Sequence, residues 1–159
     1  MTVLTLWLLL LIANGAPVLA QLWLKRRWAM PIDGGRRWSD GRPILGRGKT
    51  WRGLAAGIAG TAAAADAFGY SLRFGAIFAT LSLLGDAASS FTKRRLGLAT
   101  SARATGLDQL PEALIPMIFA AVWLDLDMWV VASTALLFMV TNIWISPTLY
   151  RLGIRKKPH

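Results

Sequence analysis

Carboxylates and cations gather at three points in this chain, in patterns that suit phosphate chemistry. The first is Asp40-Gly41-Arg42-Pro43-Ile44-Leu45-Gly46-Arg47-Gly48-Lys49-Thr50-Trp51-Arg52-Gly53. Glycine lets backbone approach a phosphate, and Lys and Arg neutralise it, so Lys49, Thr50 and Arg52 are placed to receive phosphate oxygens. The Gly48-Lys49-Thr50 ending is not a P-loop, because that motif needs Gly where Pro43 stands. An interfacial loop holding lipid headgroups is the competing reading.

The second point is Gly85-Asp86-Ala87-Ala88-Ser89-Ser90-Phe91-Thr92-Lys93-Arg94-Arg95. Asp86 lies inside an apolar stretch, where an ionisable group commonly marks an ion or substrate site. Lys93, seven residues on, falls on a similar helix face with Ser90 just before it, so a local ion pair of Asp86 with Lys93 or Arg94 is the alternative. The third point holds Asp108 and Glu112, one helical turn apart around Pro111. Plain capping of a helix N-terminus is the alternative there. Together, Asp86, Asp108 and Glu112 form an all-oxygen donor set that suits Mg²⁺, which is typically held by one or two carboxylates plus substrate phosphates. The chain has no Cys, and its single His is His159, which excludes thiol nucleophiles, zinc knuckles and His-based triads.

The elements that position these residues are read from hydropathy. In 159 residues, 55% are hydrophobic and 16% charged, with a mean hydropathy of +0.47. A water-soluble globule of one domain's length does not bury that much apolar surface. Thr2 to Leu24 carries no charged side chain and is long enough to cross a hydrocarbon core of about 30 Å. A cleaved signal peptide fits less well, since no Lys or Arg precedes the run and Lys25-Arg26-Arg27 follow it. Further apolar stretches at 53–65, 74–91, 110–124 and 128–147 predict an all-α polytopic protein of about five spans. It reads as one membrane-embedded domain over 1–159 with a long loop at 25–52. Gly53, Gly57 and Gly60 predict a span buried among its neighbours, through contacts inside the chain or in a homodimer. Asn14, Gly15 and Pro17 interrupt the first span and require polar partners there. Trp7, Trp23, Trp28, Trp51 and Trp129 fall near predicted interfaces.

Charge placement orients the spans. The formal charge is +10, and of 18 Lys and Arg, nine lie in Lys25 to Arg52, four in Lys93 to Arg103 and four in Arg151 to Lys157. The positive-inside bias then predicts an outside N-terminus and a cytoplasmic C-terminus, with the basic loops in the cytoplasm. No nucleic-acid module surrounds these cations, so nucleic acid is not an expected partner.

In order along the chain, Asn14-Gly15-Ala16-Pro17, Pro31-Ile32-Asp33, Asp40 to Gly46, Lys49 to Gly53, Gly85-Asp86, Ser90 to Gly97 and Leu107-Asp108-Gln109 resemble the CDP-archaeol synthase family. These are small membrane cytidylyltransferases related to CDP-diacylglycerol synthases. The larger relatives' signature has a Gly-rich turn with His before its Asp; Ala99 to Gly106 lacks that His, and Glu112 stands near the place of a second Asp. The resemblance implies that CTP and a phosphorylated glycerolipid react, with Mg²⁺, to a CDP-lipid and pyrophosphate. It implies Asp86 and Asp108 as metal holders, Lys93 and Arg94 at the reacting phosphates, Lys49, Thr50 and Arg52 at the nucleotide, and Asn14, Asp33 and Ser90 as further binding residues. Two other readings stand beside it. A CDP-alcohol phosphotransferase begins its motif like Asp40-Gly41, but Arg42-Pro43-Ile44-Leu45 breaks that pattern. A small transporter or lipid-binding scaffold would use Asp86 and Asp108 as ion-coupling groups, and no inverted repeat supports it.

Overall fold

The computed structural model describes residues 2–99, 106 and 108–151, with side chains through Trp144. Arg103, Leu107 and the basic cluster from Arg151 to Lys157, apart from the Arg151 backbone, lie outside the described residues. Among the described residues five helices form: α1 (Thr2–Leu24), α2 (Trp51–Ala67), α3 (Leu72–Arg95), α4 (Gln109–Leu124) and α5 (Met128–Arg151). Each covers one expected apolar stretch. No strand forms among the described residues, where the loop before α2 holds two isolated antiparallel bridges, Pro31 with Thr50 and Arg37 with Pro43. Among the described residues, two helices, α1 and α3, are long and apolar enough to cross a membrane.

Helix α3 is the hub and packs on α1, α2 and α4. Its buried face runs through Phe74, Phe78, Ser82, Gly85, Ser89 and Lys93, so one stripe passes from aromatic to basic along its length. At the aromatic end, Phe74 stacks on Tyr70 at 5.1 Å and on Phe119 at 5.7 Å between ring centroids. Leu6, Leu9 and Leu10 of α1, Met117 of α4 and Phe138 of α5 complete the buried cluster there.

Close helix approach depends on two glycines. At Gly85 a methyl group would run into the Pro111 carbonyl and come within 2.8 Å of the Glu112 nitrogen, so the first turn of α4 rests directly on α3. At Gly57 it would meet the Ala13 carbonyl at 2.9 Å. That carbonyl is the one Pro17 leaves without its helical donor, so the interruption in α1 fits the smallest point of α2. Gly60 likewise faces Ile12 and Ala16, which places the glycine stripe in contacts inside the chain. The expectation that this span is buried among its neighbours needs correction. α2 covers Gly53, Gly57, Thr61 and Ala65 but leaves Ala55, Ala59 and Ala63 exposed, because it lies at the side of the bundle. Trp23, Trp28, Trp51 and Trp129 are exposed. Trp7 instead packs beside the core and donates to Thr141 Oγ1 of α5 at 3.2 Å.

Candidate active site

The end of α3, the start of α4 and the loop before α2 converge at one end of the bundle. The side chains meet in crossed pairs. Lys49 Nζ from the loop binds Asp86 Oδ2 of α3, and Lys93 Nζ of α3 binds Asp108 Oδ1 ahead of α4 at 2.5 Å. Neither pair is the local Asp86–Lys93 or Asp86–Arg94 contact that helix spacing alone allows; both join separate elements. Capping does not account for Asp108 either. Its side chain makes no cap hydrogen bond to α4, while the Gln109 carboxamide accepts from the Gly106 N–H at 2.7 Å.

Arg94 and Ser90 lie on the same buried face of α3 as Lys93. The Arg94 side chain is in the field of Asp108, and its Nε–H is buried with no protein acceptor. Glu112 is buried at 8% exposure, close enough to Asp86 and Asp108 to feel both charges. The three carboxylates nonetheless do not gather into one ligand set. Among the described residues no group of three acidic side chains sits close enough to hold a single ion. The physical reason is the lysines, since Lys49 and Lys93 each draw one aspartate to themselves. The donor chemistry still fits a hard divalent cation. Asp86 and Asp108 are oxygen donors at the mouth of the charged end, and a hydrated Mg²⁺ needs no more than one or two carboxylates when substrate phosphates supply the rest.

Asn14 bonds one layer below this cluster, to the Leu10 carbonyl and to Ser82, and supports it. Its amide donates to Ser82 Oγ at 3.0 Å, and Ser82 donates to the Glu112 carbonyl at 2.8 Å. That relay ties α1, α3 and α4 together just inside the charged end. Thr50 caps α2, accepting from Gly53 N–H at 3.3 Å. Arg52 turns toward the end of α1 and donates to the Arg27 carbonyl at 2.5 Å. Asp33 organises the loop: Oδ1 accepts from Gly35 N–H at 2.9 Å, and Oδ2 from Leu45 N–H at 2.9 Å and Gly46 N–H at 3.0 Å. Partial burial raises the Asp33 carboxyl, but the N–H groups of Gly46, Leu45 and Gly35 together outweigh it and hold the pKa below its ordinary value.

Six residues absent from the expected site, Arg95, Asp40, Arg42, Pro43, Trp38 and Phe91, complete its outer wall. Arg95 donates to Asp40 Oδ1 at 2.6 Å and to the Pro43 carbonyl at 2.6 Å, and lies over Phe91 at 5.0 Å and Trp38 at 5.9 Å. Arg42 returns a bond to the Arg95 carbonyl at 2.7 Å. The Arg42 N–H and the Arg95 guanidinium hold the Asp40 carboxyl below its ordinary pKa. The signal in the sequence was the third cation of Lys93-Arg94-Arg95. On a helix, successive side chains point about 100° apart, so Arg94 turns inward and Arg95 outward to a different partner.

The model of the CDP-archaeol synthase family, described as CarS-like, matches residues 2–159. The chain belongs to the CDP-archaeol synthase family. A CDP-archaeol synthase of Hyperthermus butylicus is 47% identical over 63% of this chain and 60% of its own length. One from Thermococcus onnurineus is 40% identical over 68% of this chain and 66% of its own. The chain thus spans under two thirds of the length of these family members, whereas one from Pyrobaculum arsenaticum, at 33% identity, is matched over 91% of its length and 92% of this chain. A solved structure described as an intramembrane enzyme for archaeal membrane lipid biosynthesis superposes with a TM-score of 0.74 at 34% identity, covering 89% of this chain and 90% of that one. With that neighbour and its own apolar helices, this family member is an integral membrane protein.

Proposed function

We propose that this chain transfers the cytidylyl group of CTP to the phosphate of a phosphorylated glycerolipid, giving a CDP-lipid and pyrophosphate. A lipid phosphate oxygen bonds to the α-phosphorus of CTP as the bond from that phosphorus to the bridging oxygen of the β-phosphate breaks, and pyrophosphate leaves with the electron pair. The nucleophile is already an anion and needs no protein base, which suits a chain whose only His is His159. The protein's task is to offset negative charge around the α-phosphorus. The observation that carries the reading is the pair of crossed contacts, Lys49 with Asp86 and Lys93 with Asp108, beside the buried Arg94 in a member of this family. Asp86 and Asp108 would hold Mg²⁺, which supplies charge neutralisation on the phosphates. Lys93 and Arg94 bind phosphate at the reacting centre, Lys49 the nucleotide phosphates, with Thr50, Arg52 and Ser90 as neighbouring contacts. Asn14 and Asp33 position these groups.

The same reading takes the chain as one membrane-embedded domain of five spans, with the N-terminus outside, the C-terminus cytoplasmic and the site facing the cytoplasm, where 17 of the 18 Lys and Arg then lie. A homodimer is compatible with it. The relatives' name favours an isoprenoid ether lipid over a fatty acyl ester as acceptor. The test is pyrophosphate release from CTP and Mg²⁺ by purified protein in detergent, with phosphatidic acid and an isoprenoid ether phosphate in parallel. Release with the ether phosphate is expected; folded protein releasing none with either lipid would overturn the reading. Lys93→Met should weaken both substrates, about 10²-fold or more in kcat/KM.

A further inference from the structure

We infer that Arg42 and Arg94 form the two walls of a binding cleft for the nucleotide's phosphate chain, and that Arg95 is the positioning residue that builds it. This deepens the cytidylyltransferase reading and rests on it. The cleft, about 250 Å³, is lined by Arg42, Pro43, Arg94, Gly97, Leu98 and Ala99. One wall is loop and the other is the end of α3, and Arg95 holds them together. Its guanidinium binds Asp40 Oδ1 and the Pro43 carbonyl in a fork that lysine cannot reproduce. Trp38, edge-on to Phe91 at 5.5 Å, closes the same joint from the apolar side.

The wall residues have donors to offer. Arg94 is 4% exposed and its buried Nε–H has no protein acceptor, an arrangement that an anionic oxygen would satisfy. Arg42 uses Nη1 on the Arg95 carbonyl and keeps further guanidinium donors beside Gly97. Gly97 has φ +76°, and a methyl group there would press on the Arg42 guanidinium at 3.3 Å, so this corner admits Arg42 because it lacks a side chain. Both a lipid phosphate and a nucleotide would satisfy two guanidinium groups. The cleft opens at the last turn of α3, where Arg42, Gly97, Leu98 and Ala99 are exposed beyond the apolar run and a water-soluble triphosphate has access.

The test compares wild type with Arg42→Met, Arg95→Met and Arg95→Lys. Two readouts are used: KM for CTP and for the lipid phosphate, and trypsin cleavage of the loop at Arg36, Arg37 and Arg47 with and without inorganic pyrophosphate. The expected result is a tenfold or greater rise in KM for CTP in Arg42→Met and Arg95→Met, lipid KM within twofold, and partial recovery in Arg95→Lys. Arg95→Met should expose the loop to trypsin without ligand. Arg42→Met should leave the free loop protected but abolish any added protection by pyrophosphate. A rise in lipid KM with CTP unchanged would overturn the assignment to the nucleotide, and unchanged loop cleavage in Arg95→Met would overturn the positioning role. Should the wild type prove inactive, failing the cytidylyltransferase reading, the proteolysis arm decides alone. Pyrophosphate protection lost in Arg42→Met supports the cleft, and its absence in wild type overturns it.

Discussion

The two ends of the helix bundle are held by different forces. At one end, Tyr70, Phe74 and Phe119 stack, Trp123 packs on them at a tilt, and Leu6, Leu9 and Phe138 are fully buried beside them. At the other, the same helix α3 meets its neighbours through Lys93 with Asp108, Asp86 with Lys49 and Arg95 with Asp40. An aromatic cluster holds only its own geometry. Paired charges at partial exposure cost desolvation and yield little net stability, so their presence in a small membrane bundle is better explained by a ligand of opposite pattern than by folding. On the proposed function, one end supplies rigidity and the other chemistry, and α3 connects the two.

Substitutions can break this contrast. The largest effect is expected from Gly85→Ala, which sits where α4 rests on α3. The added methyl group drives the Pro111 carbonyl away, so both folded yield and turnover should collapse, a loss of about 3 kcal/mol or more by size-exclusion and thermal unfolding in detergent. Phe78→Ala acts at the apolar end. It should lower unfolding stability by about 2–3 kcal/mol, less than in a water-soluble core because lipid is itself apolar, while kcat per folded molecule stays within about twofold. A comparable loss of kcat would contradict the division between the two ends. The smallest effect is in the loop. Because the Asp33 pKa is held below its ordinary 3.8, its contribution is present above that value and disappears as pH falls through the lower, folded one. Trypsin sensitivity of the loop should be flat from neutral pH to about 5. Asp33→Asn should raise it at neutral pH, by about 1 kcal/mol of local opening.

The five helices were legible because apolar runs and polar gaps alternate so clearly; even the bounds of the first run, Thr2 to Leu24, match α1. Asp86 stood out because it is a charge inside an apolar run, Lys93 because it falls seven residues on along the same helix, and Asp108 because it lies one helical turn from Glu112. Their pairing was not. Helix spacing puts Asp86 near Lys93, but partners are set by the crossing of α3 with α4 at Gly85 and by a loop that reaches back over α3, and neither is local in sequence. For the same reason Asp33 read as a binding residue, whereas its carboxylate ties Gly35, Leu45 and Gly46. Arg95 read as one more basic residue in a run, because its partners Asp40 and Pro43 lie more than fifty residues away.

The central claim is that the charged end performs nucleotidyl transfer through Asp86 and Asp108 without being needed for folding. It is tested most directly by CDP-lipid formation from CTP, Mg²⁺ and an isoprenoid ether phosphate in Asp86→Asn and Asp108→Asn proteins that elute and unfold like wild type. A fall in kcat/KM of about 10²–10³-fold in each is predicted; undiminished Mg²⁺-dependent turnover in either folded protein would contradict the claim.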